Sequence, residues 1–265
     1  MKRVKTTTSV LIGLIFCFFV SPTFAGTALA ADTKPEFSGS ATATSKYVWR
    51  GYELSKDSLV FFLDGAVSYK GFAAEVWTDF DTDYYPTKDM DDKGNMELVE
   101  TDLILSYSNS IDNFNYSFGW IYYDYYYDEL AIGENQELYG SLGIDTLLSP
   151  TLSVYQEIEI GQATYVSLDL SHSVELKDDL SLDGGVKFGY MYDEDGDNGG
   201  SYSAMHDGLA WLGLSMPLDD YWTLSPTINY SLPLSDDAED NIETASYNGD
   251  DSMFFWGSLT LSTSF

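Results

Sequence analysis

The chain has 265 residues, with Lys and Arg totalling 12 against 43 Asp and Glu, a formal net charge of −31. Charge of that sign repels phosphate backbones, which excludes nucleic acid as a partner. A single cysteine excludes a disulfide scaffold, and 21 Tyr, 15 Phe and 6 Trp exclude a disordered acidic chain.

Lys2, Arg3 and Lys5 form a basic leader, Val10 to Val20 is unbroken apolar sequence, and Ser21, Pro22 and Thr23 interrupt it. Ala28-Leu29-Ala30 then supplies an A-x-A cleavage site, so residues 1–30 are predicted to be a secretory signal peptide cut before Ala31. The apolar run is too short for a spanning helix, and Cys17 lies inside it without a lipidation box of small residues. Residues 31–38 are expected to form a short periplasmic lead, and residues 39–265 one domain without repeats.

From residue 39 onward the dominant period is two, the signature of strands. Twelve alternating segments are expected near 39–50, 58–69, 71–80, 98–109, 113–123, 137–147, 151–160, 163–174, 180–192, 206–217, 221–232 and 253–265. In the third, Phe72, Ala74, Val76, Thr78 and Phe80 share one face, opposite Ala73, Glu75, Trp77 and Asp79. In the eleventh, Trp222, Leu224, Pro226, Ile228, Tyr230 and Leu232 oppose Thr223, Ser225, Thr227, Asn229 and Ser231. The acids Asp64, Glu75, Asp79, Glu100, Asp102, Asp145, Glu157, Glu159, Asp169 and Asp183 all fall opposite the apolar face.

A soluble sandwich also alternates, but two further patterns favour a membrane barrel. Alternate connections are long, near 51–57, 81–97, 124–136, 193–205 and 233–252, with a tight exception at 161–162, and the intervening ones are short. Aromatics fall at strand ends in two sets, Trp49, Phe80, Tyr122, Tyr192 and Tyr230, and Tyr69, Tyr107, Phe114, Trp222 and Phe265. Segregated connection lengths and paired aromatic girdles belong to outer-membrane barrels. The expected fold is therefore all-β, a transmembrane antiparallel up-and-down barrel of twelve strands with both termini periplasmic. Closure is a physical requirement, because an open sheet in lipid leaves edge N–H and C=O groups unpaired. The terminal Phe265, ending an alternating last strand, has the form of the signal that the barrel-assembly machinery recognises.

The expected lumen face is small and polar, with Ser106, Ser108, Ser117, Gly119, Ser141, Gly143, Ser167, Ser171, Gly185 and Gly189. Candidate lumen or constriction residues are Lys46, Arg50, Glu75, Asp79, Glu100, Asp102, Asp145, Glu157, Asp169, Asp183 and Lys187. Few bases face many acids, which points to a hydrated lumen preferring cations over anions. Arg50 is expected on the inward face at the outer end of the first strand, either bracing the rim or forming half of a transverse field. The outer loops are acidic, and Asp193, Asp195 and Asp197 are weak candidates for loosely held Ca²⁺ or Mg²⁺, although the twelve-residue calcium-loop pattern is absent. No other cofactor is expected. A hydrolase needs a nucleophile beside a base, and the only histidines, His172 and His206, have no serine neighbour on their own face.

The opening Ala41-Thr42-Ala43-Thr44-Ser45-Lys46-Tyr47-Val48-Trp49-Arg50-Gly51 resembles the start of the TorF-type porins, outer-membrane barrels of proteobacteria. That family continues into a Gly-Phe-Tyr-Ala-Gly-x-Trp-like segment, a place held here by Gly71-Phe72-Ala73-Ala74-Glu75-Val76-Trp77, with Ala73 and Glu75 departing from the usual residues. The resemblance covers residues 41 to 80 and implies transport across the outer membrane, with no catalytic residues. Taken together, the sequence predicts a passive channel for small hydrophilic solutes. Its expected partners are outer-membrane lipid and lipopolysaccharide, periplasmic chaperones and the barrel-assembly machinery. The alternative is a non-conducting structural or surface-binding barrel whose acidic loops bind divalent cations or partners.

Overall fold

A computed structural model describes residues 34–56, 58–84, 95–126, 134–159, 162–177, 179–194, 201–247, 249 and 251–265. The signal peptide, its cleavage site, Asp195 and Asp197 lie outside the described residues. The first strand, β1 (Glu36–Thr44), ends early; β2 (Val48–Trp49) and β3 (Tyr52–Glu53) form a separate two-stranded hairpin. Next come β4 (Val60–Tyr69), β5 (Phe72–Asp81), β6 (Glu97–Ile111), β7 (Phe114–Tyr125), β8 (Asn135–Ile144) and β9 (Thr151–Glu157). The chain continues through β10 (Thr164–Lys177), β11 (Leu180–Asp193), β12 (Tyr202–Pro217), β13 (Trp222–Pro233), helix α1 (Asp236–Ala245) and β14 (Phe254–Ser264).

Strands β1 and β4 to β14 pair antiparallel in chain order, and β14 returns to β1 to close a barrel of twelve strands. The seam runs from Ser38 opposite Ser264 to Thr44 opposite Ser258, and Phe37 and Phe265 exchange both backbone hydrogen bonds at 2.9 Å. Every expected segment has its strand, because alternation with period two is a property of residues that no tertiary contact needs to supply.

The short connections and both ends of the described chain lie at one end of the barrel, here the terminal end; the long connections lie at the other, the loop end. Lys70-Gly71, with φ 54° and 86°, makes the β4–β5 turn, the primed geometry that matches strand twist. The outer surface is apolar: Leu63, Val67, Phe72, Val76, Leu103, Leu105, Phe118, Leu142, Leu152, Leu168, Phe188, Leu212, Ile228, Phe255 and Leu259 are all exposed. Of the expected girdle, Tyr69, Phe114, Tyr192, Trp222, Tyr230 and Phe265 are exposed aromatics near strand ends.

Several expectations need correction. The first strand stops at Thr44 instead of running to 50, so Tyr47, Trp49 and Arg50 belong to the inserted connection and Trp49 is not a girdle residue. Strand β8 stops at Ile144, which leaves Asp145 exposed in the turn at the terminal end, accepting from Asn115 Nδ2 at 2.6 Å. Val99, which alternation over 98–109 places on the apolar outer face with Leu103 and Leu105, is buried because a bulge opposite Asp79 and Phe80 inserts an extra residue into β6. The 233–252 connection contains helix α1, capped by the Ser235 hydroxyl on the Ala238 N–H, with Asp236, Asp237 and Glu239 in its first turn. Acids there complement the helix dipole, and Ala238 and Ile242 are buried.

Candidate functional site

The loop-end interior of the barrel is filled. Residues 45–56 fold back against the inner wall and α1 packs with them. Arg50 and Gly51 form the two-residue turn of the β2–β3 hairpin, with φ of 47° and 89°. Positive φ at both positions is the type I′ geometry, which favours Asn-Gly. A Cβ on Gly51 would sit 2.9 Å from Asp207 Cβ and 3.0 Å from Ile242 Cδ1, so position 51 tolerates no side chain. Hairpin and helix are stitched together. The Glu53 N–H donates to Ser246 Oγ at 3.0 Å, Tyr247 N–H to the Glu53 carbonyl at 2.9 Å, and the Tyr52 hydroxyl to Asn241 Oδ1 at 2.6 Å. Val48, Ile242, Leu209, Phe254 and Trp256 make a shared apolar core between hairpin, helix and wall.

Arg50 is the deepest anchor. Its guanidinium donates through Nη1 to Glu137 Oε1 at 2.7 Å and through Nη2 to Oε2 at 2.8 Å. Arg50 is 6% exposed and Glu137 1%. The Tyr123 hydroxyl also donates to Glu137 Oε2 at 2.8 Å. The guanidinium carbon lies 4.3 Å from the centroid of Trp49, 4.6 Å from that of Tyr165 and 4.8 Å from that of Tyr155. Burial opposes its charge, but the field of Glu137 prevails and holds Arg50 above its ordinary pKa. Glu137, Tyr123, Tyr155 and Tyr165 come from four adjacent strands, β7 to β10.

These wall residues follow a simple interior pattern. Tyr139 pairs with Tyr155 across β8–β9, and Tyr155 with Tyr165 across β9–β10. One row toward the terminal end, Ser117, Ser141, Ser153 and Ser167 stand opposite one another, with Ser117 Oγ and Ser141 Oγ 2.8 Å apart. Gly119, facing Tyr139, lets the ring lie flat on the backbone; a Cβ there would meet the ring at 2.6 Å.

The expected site residues separate into distinct groups. Lys46 pairs with Glu53 inside the hairpin connection. Lys187 reaches Asp207 Oδ2 at 3.6 Å, and Tyr165 donates to Asp207 Oδ1 at 2.7 Å. Asp169 stands opposite Lys187 and accepts from Ser167 at 2.9 Å. Glu157, opposite Glu137, accepts from Asn135 at 2.9 Å. Asp183 lies toward the terminal end, held by Ser181. Asp193, the last residue of β11, is half-buried.

Asp79, Glu100 and Asp102 are buried together on β5 and β6, where Tyr47 donates to Glu100 Oε2 at 3.2 Å. Burial raises the Tyr47 pKa well above its ordinary value, and the charges of Glu100, Asp102 and Asp79 add to that. Asp79 Oδ1 and Asp102 Oδ1 have no hydrogen-bond partner among the described residues. Asp64 and Glu75 are half-buried on the adjacent strands β4 and β5. Among the described residues, no group of three or more His, Cys, Asp or Glu is arranged to hold a metal ion.

Residues that sequence reasoning passed over are central. Glu137 shares the inward column of Tyr139, Ser141 and Gly143, so its face was readable. Asp207 and His206 are both buried because the β11–β12 register shifts between Phe188 and Tyr190, and alternation alone gives no sign of that shift. The His206 ring nitrogen lies 2.7 Å from the Tyr202 hydroxyl, and its ring packs 5.0 Å from Tyr52. The expected open, small-residue lumen is absent from the loop half, where aromatic rings and the inserted connection occupy the space.

No family model and no curated protein matches the chain. Solved structures resemble its architecture at low identity. A NanC porin structure is 10% identical with a TM-score of 0.48, covering 88% of this chain and 99% of that one. A membrane protein from work on the mechanism behind in-meso crystallization is 8% identical with a TM-score of 0.49, covering 87% and 84%. The β domain of the Bordetella autotransporter BrkA is 12% identical with a TM-score of 0.42, covering 87% and 98%.

Proposed function

We propose that this chain is a bacterial outer-membrane channel for small hydrophilic solutes, held shut at its loop end by its own hairpin and helix. The observation that carries the proposal is a closed barrel with apolar side chains outside and acids and hydroxyls inside. So much exposed apolar surface is untenable in water, and the closed ladder meets the rule that backbone in lipid must be paired. In this proposal the terminal end faces the periplasm, the exposed aromatics sit at the two lipid interfaces, and the exterior contacts lipid and lipopolysaccharide. Cleavage of residues 1–30 precedes insertion by the assembly machinery. The TorF-type resemblance of residues 41–80 agrees with this role and rests on those residues alone.

The interior charges support a cation preference as part of this proposal. Asp79, Glu100 and Asp102 are buried together, while Lys46 and Arg50 are engaged by Glu53 and Glu137. Interior carboxylates that water reaches and that are ionised attract mobile cations along an open path. Planar-bilayer recording of the refolded chain tests the proposal: discrete openings whose reversal potential favours cations support it, and anion preference refutes the charge account.

A second function is favoured by one observation, the packed loop-end interior with its buried Arg50–Glu137 pair. In that case the barrel does not conduct and serves as a structural or surface-binding protein, its acidic loops recruiting divalent cations. Silence in every lipid and voltage condition, also after the hairpin is removed, would select it.

A further inference from the structure

The turn of the hairpin presents an unusual residue in an unusual conformation. A type I′ turn favours small polar residues at its first position, and a long side chain at φ 47° is disfavoured. Strain of this kind persists where the surroundings over-determine it. What over-determines Arg50 is the wall: a carboxylate aligned for two parallel N–H···O bonds and two tyrosine faces within 5 Å of the guanidinium carbon. Tyr123 fixes the carboxylate by donating to Glu137 Oε2, and Asp207 fixes Tyr165 by accepting a hydrogen bond from its hydroxyl. Glu137, Tyr123, Tyr155, Tyr165 and Asp207 all belong to the barrel and stay behind when the hairpin leaves.

We propose that this wall is a binding site for a guanidinium-bearing solute, and that the hairpin occupies it as an internal ligand through Arg50. The chemistry selects the class. A planar fork satisfies both carboxylate oxygens at once, and a flat, weakly hydrated cation lies against aromatic faces; an ammonium does neither as well. A solute of this class binds only the state in which Arg50 has withdrawn, so it shifts the hairpin toward release. The competitor is tethered, with an effective concentration in the millimolar range, so displacement is expected at millimolar solute. The inference deepens the proposed channel by naming a solute that releases its seal, and it rests on that proposal for its transport meaning but not for binding.

The test uses the full chain refolded in lipid with Cys17→Ser and Val48→Cys, so that the reporter is its one thiol. Val48 belongs to the hairpin and is buried against Leu209, Phe254 and Trp256 of the wall and Ile242 of the helix, so a thiol at this position reacts with a polar maleimide only after release. Argininamide should accelerate labelling in proportion to its concentration while the released state is rare, by about tenfold at ten times its dissociation constant for that state, and lysinamide at equal ionic strength should not. Glu137→Gln should abolish the dependence on argininamide, whatever its basal rate. In Arg50→Ala, methylguanidinium should raise the unfolding temperature and methylammonium should not. Equal acceleration by argininamide and lysinamide, or persistence of the argininamide effect in Glu137→Gln, would overturn the site. Failure of rescue in a folded Arg50→Ala would do the same; should that variant not fold, the labelling experiment decides alone. Argininamide-driven labelling in a barrel that never conducts would refute the channel and leave the site standing. Conduction with no argininamide effect would refute only the site.

Discussion

Replacing Arg50 with methionine tests how the interior is held. The change leaves Glu137 buried with, among the described residues, only the Tyr123 hydroxyl donating to it in place of the bidentate guanidinium, and it takes the cation from three aromatic rings. Breaking a buried pair from one side costs about 3–5 kcal/mol. Each 1.4 kcal/mol corresponds to about a tenfold change in an equilibrium, so the released hairpin should become on the order of 10²- to 10³-fold more populated. In the Val48→Cys background the chain beyond residue 30 has no other thiol, since the one native cysteine is Cys17. Maleimide labelling that proceeds from the released state follows its population and should accelerate by the same factor. Arg50→Met combined with Glu137→Leu removes both charges, and labelling should return to within about tenfold of the background, because apolar replacement of a buried pair is often neutral. Acceleration below tenfold in the single variant, or a double variant as fast as the single, would refute Arg50–Glu137 as the anchor.

Other positions respond in defined ways. Gly51→Ala should also release the hairpin, since its Cβ meets Asp207 and Ile242 at 2.9 and 3.0 Å and its φ is 89°; an unchanged Val48→Cys labelling rate would contradict this. Ile242→Ala removes a fully buried side chain from the helix and should cost about 2–5 kcal/mol of helix docking, read as faster proteolysis of 234–253. Nitroxides at Leu103 and Phe118, which are exposed, should meet dissolved oxygen in bilayers, and those at Asp102 and Ser117, which are buried, should not; equal exposure would show the faces to be misassigned. Glu100→Gln with Asp102→Asn should lower cation preference at low salt, an effect that fades as screening shortens to about 8 Å at physiological ionic strength.

The barrel was legible because its rule is local. Alternation such as Phe72-Ala73-Ala74-Glu75-Val76-Trp77 states both strand and face without reference to any partner, and connection lengths separate the two ends. The interior was less legible for three physical reasons. Tyr47 to Arg50 alternates well enough to prolong β1, and only the Arg50-Gly51 turn, a tertiary choice with positive φ, reveals the hairpin. The acidic run from Asp236 to Glu243 suggests solvent, yet Ala238 and Ile242 sit four apart on one helical face. Bulges at Val99 and near Gly189 shift register by one residue, which moves side chains such as Asp207 inward without a mark in the sequence. Arg50 was recognised as an inward cation, but alternation names no partner for it, and Glu137 holds it from across the barrel.

Single-channel recording of two chains in the same bilayer conditions tests the central claim most directly: the full-length barrel, and one in which residues 47–54 are replaced by a short Gly-Ser linker. A channel sealed by its own hairpin predicts rare, brief openings in the first and long-lived, cation-preferring openings in the second. Silence in both would contradict a conducting interior, and equal conductance in both would show that the hairpin seals nothing.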